Sequence, residues 1–506
     1  MSRVAVATTS QLAADAAAAV ADIGGNAVDC ALAAALLSIN SEPGVCALAG
    51  GAYITIWPTG ADPITIDGNV AMPGLGRKTS QAPATQFVKL DYGGGIETMI
   101  GAGSIAVPGT LAAIELAWQQ HGKAPWRQLL APSIAAAESG FPLSAACHHY
   151  LQYSGSTIFG NSEDGFAALH ENELLRPVRS SIRVPHLADS LAAIASEGAG
   201  TFYEGEIAEK IARHVDYQGG LLTRADLQSY RAIIRAPLLT ELRHWHIASN
   251  PPPAVGGAVL SAMLRAFAAE EMSSWNRESL RRLIRLQHNV LTFRSEKLDL
   301  SNDIDSDAQR LLSLAGEGRM LSRWSSASTV HTSAVDDSGL ACSITASSGY
   351  GSGEMPAGTG LWLNNCIGEL ELNRKGLDAG PPGVRLPSNM APSIARCGRR
   401  VLAIGSPGAD RITTALHQFL VNFIQLELGL GDAVAHPRLH LEVSPQGSRI
   451  ATEPGLDVPD DEFAVLPYPD ISMYFGGVGA VLLRENNEFE VAADPRREGG
   501  VCIAGR

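Results

Sequence analysis

The sequence has no apolar run long enough to cross a membrane. The longest, CALAAALLSI, covers only residues 30–39, whereas a membrane-spanning helix needs about 20 residues. The first residues, MSRVAVATTSQLAADA, also lack the pattern of an export signal, since one early Arg precedes a short apolar run and then polar residues. We therefore expect a cytoplasmic protein that does not enter a membrane.

Positive charge, paired cysteines and metal-ligand motifs are also scarce. The 52 acidic and 38 basic side chains give a net charge of -14, which disfavours nucleic acid and anionic lipid as partners. The seven cysteines are scattered without a CxxC pair, so we expect them to be reduced and structural. His148 and His149 are adjacent rather than spaced like metal ligands on a helix, and we expect a solvated pair.

What is present is the composition of a globular protein with a large core. The length of 506 residues, 45% of them hydrophobic, predicts two or three lobes. SQLAADAAAAVADIGGNAVDCALAAALLSI predicts two helices joined at Gly24-Gly25, with Asn26 as the N-cap of the second. AYITIWPTGADPITIDG predicts a hairpin. Three further helical patterns each end at a glycine, namely VPGTLAAIELAWQQHG, WRQLLAPSIAAAESG and HLADSLAAIASEGAG.

The pattern changes from helix to strand in the last third of the chain. Residues 200–300 read as helical, and the polar, Ser-rich stretch 301–328 predicts an exposed, mobile segment. TVHTSAV and LACSITAS then flank the turn DDSG and predict a hairpin whose first residue is Thr329. Strands are also predicted in RRVLAIGSP, GAVLLREN and FEVAAD, and one long helix in DRITTALHQFLVNFIQL. Helices and strands in separate blocks favour an α+β layered fold.

Thr329 is a candidate nucleophile if the chain is cut before it. A threonine in mid-chain lacks a base, but a terminal threonine carries its own α-amine, whose pKa of about 7.7 to 8.0 lets it accept the hydroxyl proton. The cut would lie between Ser328 and Thr329, where an exposed segment meets a strand. A threonine that simply opens a β-hairpin is the plain alternative.

Eleven motifs in chain order resemble the γ-glutamyltranspeptidase family of N-terminal nucleophile hydrolases. TVHTSAVDDSG resembles the TTHxSVVDxxG that begins the family's small subunit. The later family motifs are matched by YGSG, GLWLNN, RLPSNMAPSI, GSPGADRI and DPR. The large-subunit motifs are matched by GGNAVDCALAA, VPGT, FYEGEIAEKIARHV, GGLLTRADLQSY and PPPAVGG.

The resemblance implies a fold and a mechanism. The fold would be the four-layer αββα sandwich, with residues 1–328 as large subunit and 329–506 as small subunit of one intertwined body. Thr329 would cleave the chain and then attack an acyl donor, while the backbone N–H groups of Gly408 and Ala409 would stabilise the oxyanion. A plain Pro-Gly turn is the alternative for that loop. The resemblance implies no cofactor or metal. The partners would be a small-molecule or peptide amide as substrate and the two fragments of the chain, and a homo-oligomer would be compatible with the resemblance.

The motif that would hold the substrate's carboxylate departs from the family pattern. IDGNVAMP aligns with the family's LDFREMAP, so that Asn69 stands where an Arg would bind the α-carboxylate of a γ-glutamyl group. A neutral amide supplies neither the charge nor the fork of a guanidinium, so a simple γ-glutamyl donor should bind much more weakly. Arg77 and Arg385 are candidates to replace that Arg.

The other substrate contacts are retained unevenly. Glu369 aligns with the family's acidic residue for an ammonium, with an exposed carboxylate at a helix start as the alternative. Ser388 and Asn389 replace a Ser pair, and either Thr345 or Ser347 is the second hydroxyl that orients the nucleophile. The segment ELNRKGLDAGPPGVRLPS is shorter than the family's lid loop, which predicts a more open site and a larger donor.

Three hypotheses follow. The first is an N-terminal threonine hydrolase or acyltransferase acting on a γ-glutamyl-like amide, with hydrolysis favoured over transfer. The second is an acylase for a different acyl group, as in related cephalosporin acylases, which Asn69 favours. The third is a binding scaffold that keeps the fold but does not cut its chain.

Overall fold

Two antiparallel sheets lie face to face in the computed structural model, which describes residues 2–77, 82–91, 95–268, 272–316, 329–444 and 447–505. The first sheet has seven strands, in the order Ile233–Arg235, Ile64–Gly68, Gly51–Trp57, Ala341–Ser347, Val330–Asp336, Val4–Thr8 and Gly500–Ala504. The second has six, in the order Leu238–Leu242, Trp245–Ser249, Ser393–Cys397, Arg400–Gly405, Gly479–Leu483 and Phe489–Ala492.

The centre of the first sheet contains the strand that follows Thr329. Val330–Asp336 pairs with Ala341–Ser347 on one side, where His331 lies opposite Thr345, and with Val4–Thr8 on the other. Both sheets therefore combine strands from before and after residue 329, and neither part of the chain could complete a sheet alone.

Alternating side chains of the strands enter different cores, as the two-residue period of a strand requires. In the strand Val4–Thr8, Val4 and Val6 belong to the core shared with helices, whereas Ala5 and Ala7 belong to the core between the sheets. The helices Gln11–Asp22 and Ala27–Ser41 contribute to the first of these cores. Beyond the second sheet, Val255–Phe267 and Arg411–Leu420 form a further core with its strands. The four-layer αββα sandwich is thus confirmed.

The remaining elements surround this frame. The other helices are Thr110–His121, Trp126–Ser139, Ala145–Ser154, Glu163–Leu169, Leu187–Glu197, Gly200–Tyr203, Glu206–Tyr217, Arg224–Ser229, Arg277–Phe293, Ile304–Gly316 and Leu430–Ala435. Short helical turns occupy Ala102–Ser104, Phe159–Asn161, Arg294–Leu298, Gly376–Asp378, Val421–Gln425, Met473–Phe475 and Pro495–Arg497. Smaller sheets are formed by Gln86–Leu90 with Ile96–Ile100, Phe141–Pro142 with Ser181–Ile182, His170–Glu171 with Leu174–Leu175, and Leu439–Ser444 with Gly447–Thr452 and Ala464–Pro467.

Most of the local predictions are confirmed. Asn26 caps the second N-terminal helix in a capping box with Asp29, and Gly24 follows the first helix with a φ of +91°, which glycine adopts readily. Both predicted hairpins form. The predicted long helix near residue 411 is an α-helix to Leu420 that continues as a π-helical turn. Among the described residues, no helix is both long and apolar enough to cross a bilayer.

Three predictions about secondary structure were wrong or incomplete. The strands Ile233–Arg235, Leu238–Leu242 and Trp245–Ser249 interrupt the region predicted to be helical. Strands of three to five residues carry little periodic signal. The strand Val4–Thr8 was not predicted at all. The segment predicted to be exposed contains the helix Ile304–Gly316, whose Leu311 is buried, while residues 317–328 lie outside the described part of the chain.

Candidate active site

Thr329 lies at one end of the central strand of the first sheet. It directly precedes Val330–Asp336 and is only 2% exposed, so the strand begins one residue later than predicted. Ser328, the other side of the predicted cut, lies outside the described residues. A strand in the middle of a seven-stranded sheet holds the threonine against a rigid frame, as a nucleophile requires.

A small pocket at this end of the sheet contains most of the residues selected from the sequence. The predicted site residues that line it are Asn69, Thr329, Ser347, Glu369, Ser388, Asn389 and Ala409. Its other lining residues are Val70, Cys366, Leu372, Pro387, Met390 and Ile412. Residues separated by up to 340 positions in the sequence therefore meet at Thr329, since Asn69 and Ala409 both line this pocket. Thr345 and Gly408 are not among the residues that line it.

Thr345 and Ser347 differ in their surroundings although they share one face of a strand. Ser347 lines the pocket with Thr329, whereas the Thr345 hydroxyl lies 2.9 Å from Nδ1 of the buried His331. On the other side of the ring, Nε2 lies 2.8 Å from the Ser333 hydroxyl, which itself donates to the carbonyl of Gly479. We therefore assign the proton to Nε2, so that Nδ1 accepts from Thr345.

Burial keeps His331 neutral. Desolvation lowers the pKa of His331 from 6.5 to about 3, because the charged imidazolium would lie between two sheets without a counter-ion. His331 is therefore a fixed, uncharged link between Thr345 and the second sheet. The sequence motif contained this histidine, but alternation alone gave it no role.

The turn that follows the strand Arg400–Gly405 contains Gly408 and Ala409, of which Ala409 lines the pocket. Gly408 has a φ of +123° and Ala409 a φ of +60°, and a Cβ at Gly408 would come within 2.6 Å of Gly476 Cα. The left-handed conformation costs a residue with a Cβ roughly 1–2 kcal/mol. In the described part of the chain, neither N–H group donates to another residue, which is the condition for binding a ligand oxygen there.

At the opposite side of the pocket, Asn69 is fixed by its amide nitrogen. Nδ2 donates to the carbonyl of Leu386 at 2.8 Å, and the Asn69 backbone N–H donates to Asp67 at 3.0 Å. Tyr230 donates to the Asn69 carbonyl. The side chain is 3% exposed, so these contacts leave Oδ1 as the polar atom that Asn69 has available for the pocket.

Asn389 is fixed in the same way by a buried ion pair. Its Nδ2 donates to Oδ1 of Asp410, which also accepts from Arg294 Nη1 at 2.7 Å. Arg294 is 1% exposed, and its Nε donates to Asp299 at 3.1 Å. One guanidinium therefore faces two carboxylates behind the pocket. Ser388 accepts from the Met390 N–H through Oγ at 3.2 Å, which leaves its hydroxyl proton available to donate.

Glu369 is buried in the pocket wall, so the alternative of an exposed carboxylate at a helix start is wrong. It is 3% exposed, and Oε1 has no hydrogen-bond partner among the described residues. Desolvation raises the pKa of Glu369 well above its usual range, and the negative charges of Glu371 and Asp410 raise it further, against the opposing effect of Arg294. An unpartnered buried carboxyl is costly unless a ligand supplies a donor.

Neither arginine considered as a replacement lines the pocket. Arg385 lies 3.4 Å from the Asp67 carboxylate and stacks on Tyr230 at 4.2 Å, in a neighbouring groove that also contains Arg235. Arg77 is likewise not among the pocket residues. In the described part of the chain, the pocket wall therefore contains no Arg or Lys.

The shortened segment closes one wall of the pocket. Leu372 and Pro387 line it, and the carbonyl of Val384 accepts from the Met72 N–H at 2.8 Å. A site more open than in other family members, and a larger donor, stay predictions. Two supporting residues escaped sequence reasoning: Arg294 gives no local signal, and Asp410 follows Ala409 without any pattern that indicates its partner.

Known proteins are similar to this chain in both sequence and fold. The family model described as Gamma-glutamyltranspeptidase matches residues 13–504. The chain is 27% identical to the "Glutathione hydrolase proenzyme" of Escherichia coli over 94% of this chain and 87% of that protein. It is 28% identical to the "Acylase ACY 1 proenzyme" of Pseudomonas sp. (strain V22) over 87% of this chain and 83% of that one.

A solved structure extends the likeness to the whole fold. The cephalosporin acylase from Bacillus halodurans superimposes with a TM-score of 0.80 at 22% identity, over 99% of this chain and 96% of that one. At this identity the likeness concerns the fold, whereas the family model covers nearly the whole sequence. The chain is therefore an enzyme that belongs to the gamma-glutamyltranspeptidase family.

Proposed function

We propose that the chain cuts itself between Ser328 and Thr329 and then hydrolyses an amide with Thr329 as nucleophile. The observation that carries the proposal is the position of Thr329, at the start of a central strand and in one pocket with Ser347, Glu369 and Ala409. Residues 1–328 and 329–506 would remain together after the cut, because both sheets combine strands from both parts.

The cut follows from an attack of the Thr329 hydroxyl on the carbonyl carbon of Ser328. The C–N bond breaks as the C–O bond forms, the nitrogen gains a proton, and the peptide becomes an ester. Water then hydrolyses the ester, leaving a carboxylate on Ser328 and a free α-amine on Thr329.

Turnover uses that amine as the base. The α-amine accepts the hydroxyl proton while Oγ1 attacks the carbonyl of the amide donor, and the N–H groups of Gly408 and Ala409 stabilise the oxyanion. The protonated amine gives its proton to the leaving amine as the C–N bond breaks. Water then attacks the acyl ester and regenerates Thr329. Ser347 is placed to orient the hydroxyl, and Thr345 supports the strand through His331.

The donor is an amide whose acyl group occupies the part of the pocket lined by Asn69, Glu369, Ser388 and Asn389. A γ-glutamyl group is the first candidate because of the family. An acyl group without the α-carboxylate is the second, and Asn69 favours it because a neutral side chain replaces a carboxylate-binding arginine.

The test compares Thr329→Ala with Thr329→Ser. We expect the alanine variant to remain in one piece and to lose at least about a thousandfold in kcat/KM, because it has no nucleophile. The serine variant keeps the hydroxyl and should be cut and retain measurable activity. An alanine variant that hydrolyses amides at the wild-type rate would contradict the proposal. A wild type that stays intact and inactive would instead support the binding scaffold.

A further inference from the structure

The acyl end of the pocket presents hydrogen-bond acceptors and few donors. Asn69 and Asn389 each use the amide nitrogen within the protein, on Leu386 and Asp410 respectively. Because those two partners are a carbonyl and a carboxylate, the amide orientation is fixed and Oδ1 remains available in both residues. Oδ1 of Asn389 has no hydrogen-bond partner among the described residues.

Glu369 adds a third acceptor of the same kind. Its Oε1 is buried and has no partner in the described part of the chain. In native proteins a buried acceptor without a donor is uncommon and needs an explanation. Two such atoms, on two residues of one small pocket, are explained together if the natural ligand brings a group with several N–H donors.

The buried charged residues behind the pocket determine whether a cationic or an anionic ligand group is favoured there. Arg294 lies between Asp299 and Asp410, so this buried cluster has one positive and two negative members. The described residues of the pocket wall include no Arg or Lys. A carboxylate placed here would face acceptor oxygens, whereas an ammonium would face complementary partners.

We propose that the pocket selects acyl donors that carry an ammonium group but no neighbouring carboxylate, so that its substrates are amides of the 4-aminobutyryl type. This group is a γ-glutamyl group without its α-carboxylate. Its ammonium donates to Glu369 and to the two asparagine oxygens. The inference rests on the proposed function, because it concerns the donor that Thr329 attacks.

Four donors with one chromogenic leaving group separate the possibilities. The 4-aminobutyryl anilide has the ammonium alone, the glutaryl anilide the carboxylate alone, the γ-glutamyl anilide both, and the butyryl anilide neither. We expect the kcat/KM of the wild type for the 4-aminobutyryl donor to exceed that for the glutaryl and butyryl donors by about tenfold or more, and to exceed that for the γ-glutamyl donor.

A pair of matched variants assigns the effect to Glu369. The Glu369 carboxyl can lose its proton when an ammonium binds beside it, whereas the amide of Glu369→Gln keeps the shape but cannot ionise. This variant should lower kcat/KM for the 4-aminobutyryl donor by about 30-fold or more while changing that for the butyryl donor by less than about threefold. Glu354→Gln is the control, because Glu354 lies outside the pocket, pairs with His214 at 2.8 Å and is not among the charges that shift the pKa of Glu369. It should leave the ranking of donors unchanged.

The outcomes distinguish the two proposals. Cleavage of the γ-glutamyl, glutaryl or butyryl donor in preference to the 4-aminobutyryl donor would overturn the proposed selectivity and leave the hydrolase intact. A preference for the 4-aminobutyryl donor that is undiminished in Glu369→Gln would overturn the role of Glu369 in this selectivity. A protein that cleaves none of the four donors and is not cut at Thr329 would overturn both proposals. The wild-type comparison needs no variant to fold, and fragment formation reports folding of each variant.

Discussion

The two ends of the pocket differ in how closely they follow the family pattern. At the nucleophile end, Thr329, Ser347 and the turn at Ala409 meet as the family motifs predict. At the acyl end, Asn69 stands where an arginine is expected, and the remaining polar atoms are mostly acceptors. The nucleophile end is built on a central strand, whereas the acyl end is built from loops.

This difference shows how specificity can change without disturbing catalysis. A residue of the central strand is tied to both neighbouring strands and to the second sheet, as His331 is through Thr345 and Ser333. A loop residue such as Asn69 has fewer constraints, because its side chain contacts one carbonyl. Changes at loop positions therefore alter the donor while the frame that holds the nucleophile stays the same.

The largest expected effect on stability lies behind the acyl end. Arg294→Met leaves the carboxylates of Asp299 and Asp410 buried without their cation, and we expect it to lower the free energy of unfolding by about 3–5 kcal/mol. Urea denaturation at pH 7.5 measures this. Arg277→Met is the control, because Arg277 is 48% exposed in its ion pair with Asp457 and should cost less than about 1 kcal/mol.

The same variant has a predictable pH dependence. Without Arg294 the pKa of Asp299, already raised to about 6 by desolvation, should rise further. A carboxyl whose folded pKa exceeds its unfolded pKa destabilises the fold above that pKa, and protonation removes the penalty as the pH falls. The difference in the free energy of unfolding between the wild type and Arg294→Met should therefore shrink as the pH falls from 7.5 to 5. A difference that grows over this range would contradict the assignment of charges behind the pocket.

A second variant restores the family's residue at the acyl end. Asn69→Arg adds a guanidinium, which binds a carboxylate through two parallel hydrogen bonds. We expect the ratio of kcat/KM for γ-glutamyl over 4-aminobutyryl anilide to rise by about tenfold or more. Asn69→Lys adds the charge without the fork and should produce a smaller rise, and Asn69→Gln should produce none. A variant that is cut normally yet shows an unchanged ratio would mean that Asn69 does not determine specificity.

The smallest expected effect concerns His331 at the nucleophile end. Between pH 6.5 and its folded pKa of about 3, the unfolded state binds a proton that the folded state does not. The free energy of unfolding therefore falls by up to about 1.4 kcal/mol for each pH unit lost. His331→Gln should remove this contribution, seen in urea denaturation at pH 6.5 and pH 5.

His417 provides the matched control. It is also buried, its pKa is lowered to about 3 by desolvation, and it is not among the pocket residues. His417→Gln should reduce the pH slope of stability in the same way. Only His331→Gln should also slow chain cleavage, because only His331 contacts the strand neighbour Thr345. Equal effects of both variants on cleavage would argue against a positioning role for His331.

The sequence predicted the elements with strong local signals. The helix capped by Asn26 and the hairpin after Thr329 have clear period and turn residues, and both are confirmed. The strands Leu238–Leu242 and Trp245–Ser249 were missed although they pair with each other, because their place in the sheet is decided by the distant strand Ser393–Cys397.

At the site, too, the features that the sequence did not predict depend on residues that are distant in the chain. The residues selected from motifs meet in one pocket, but their burial and partners depend on tertiary structure. Glu369 is buried rather than exposed, and no sequence pattern indicates that Arg294 lies beside Asp410. Whether Asn69 presents an oxygen or a nitrogen to the substrate depends on the carbonyl of Leu386, which is 317 positions away in the sequence.

The proposed chemistry requires Thr329 to become a chain terminus. The most direct measurement is denaturing electrophoresis of the purified protein, followed by N-terminal sequencing of the smaller band. We expect two fragments, the smaller beginning Thr-Val-His-Thr, the residues from Thr329 to Thr332. A single intact chain after prolonged incubation at neutral pH, or a smaller fragment with a different first residue, would contradict the proposed chemistry.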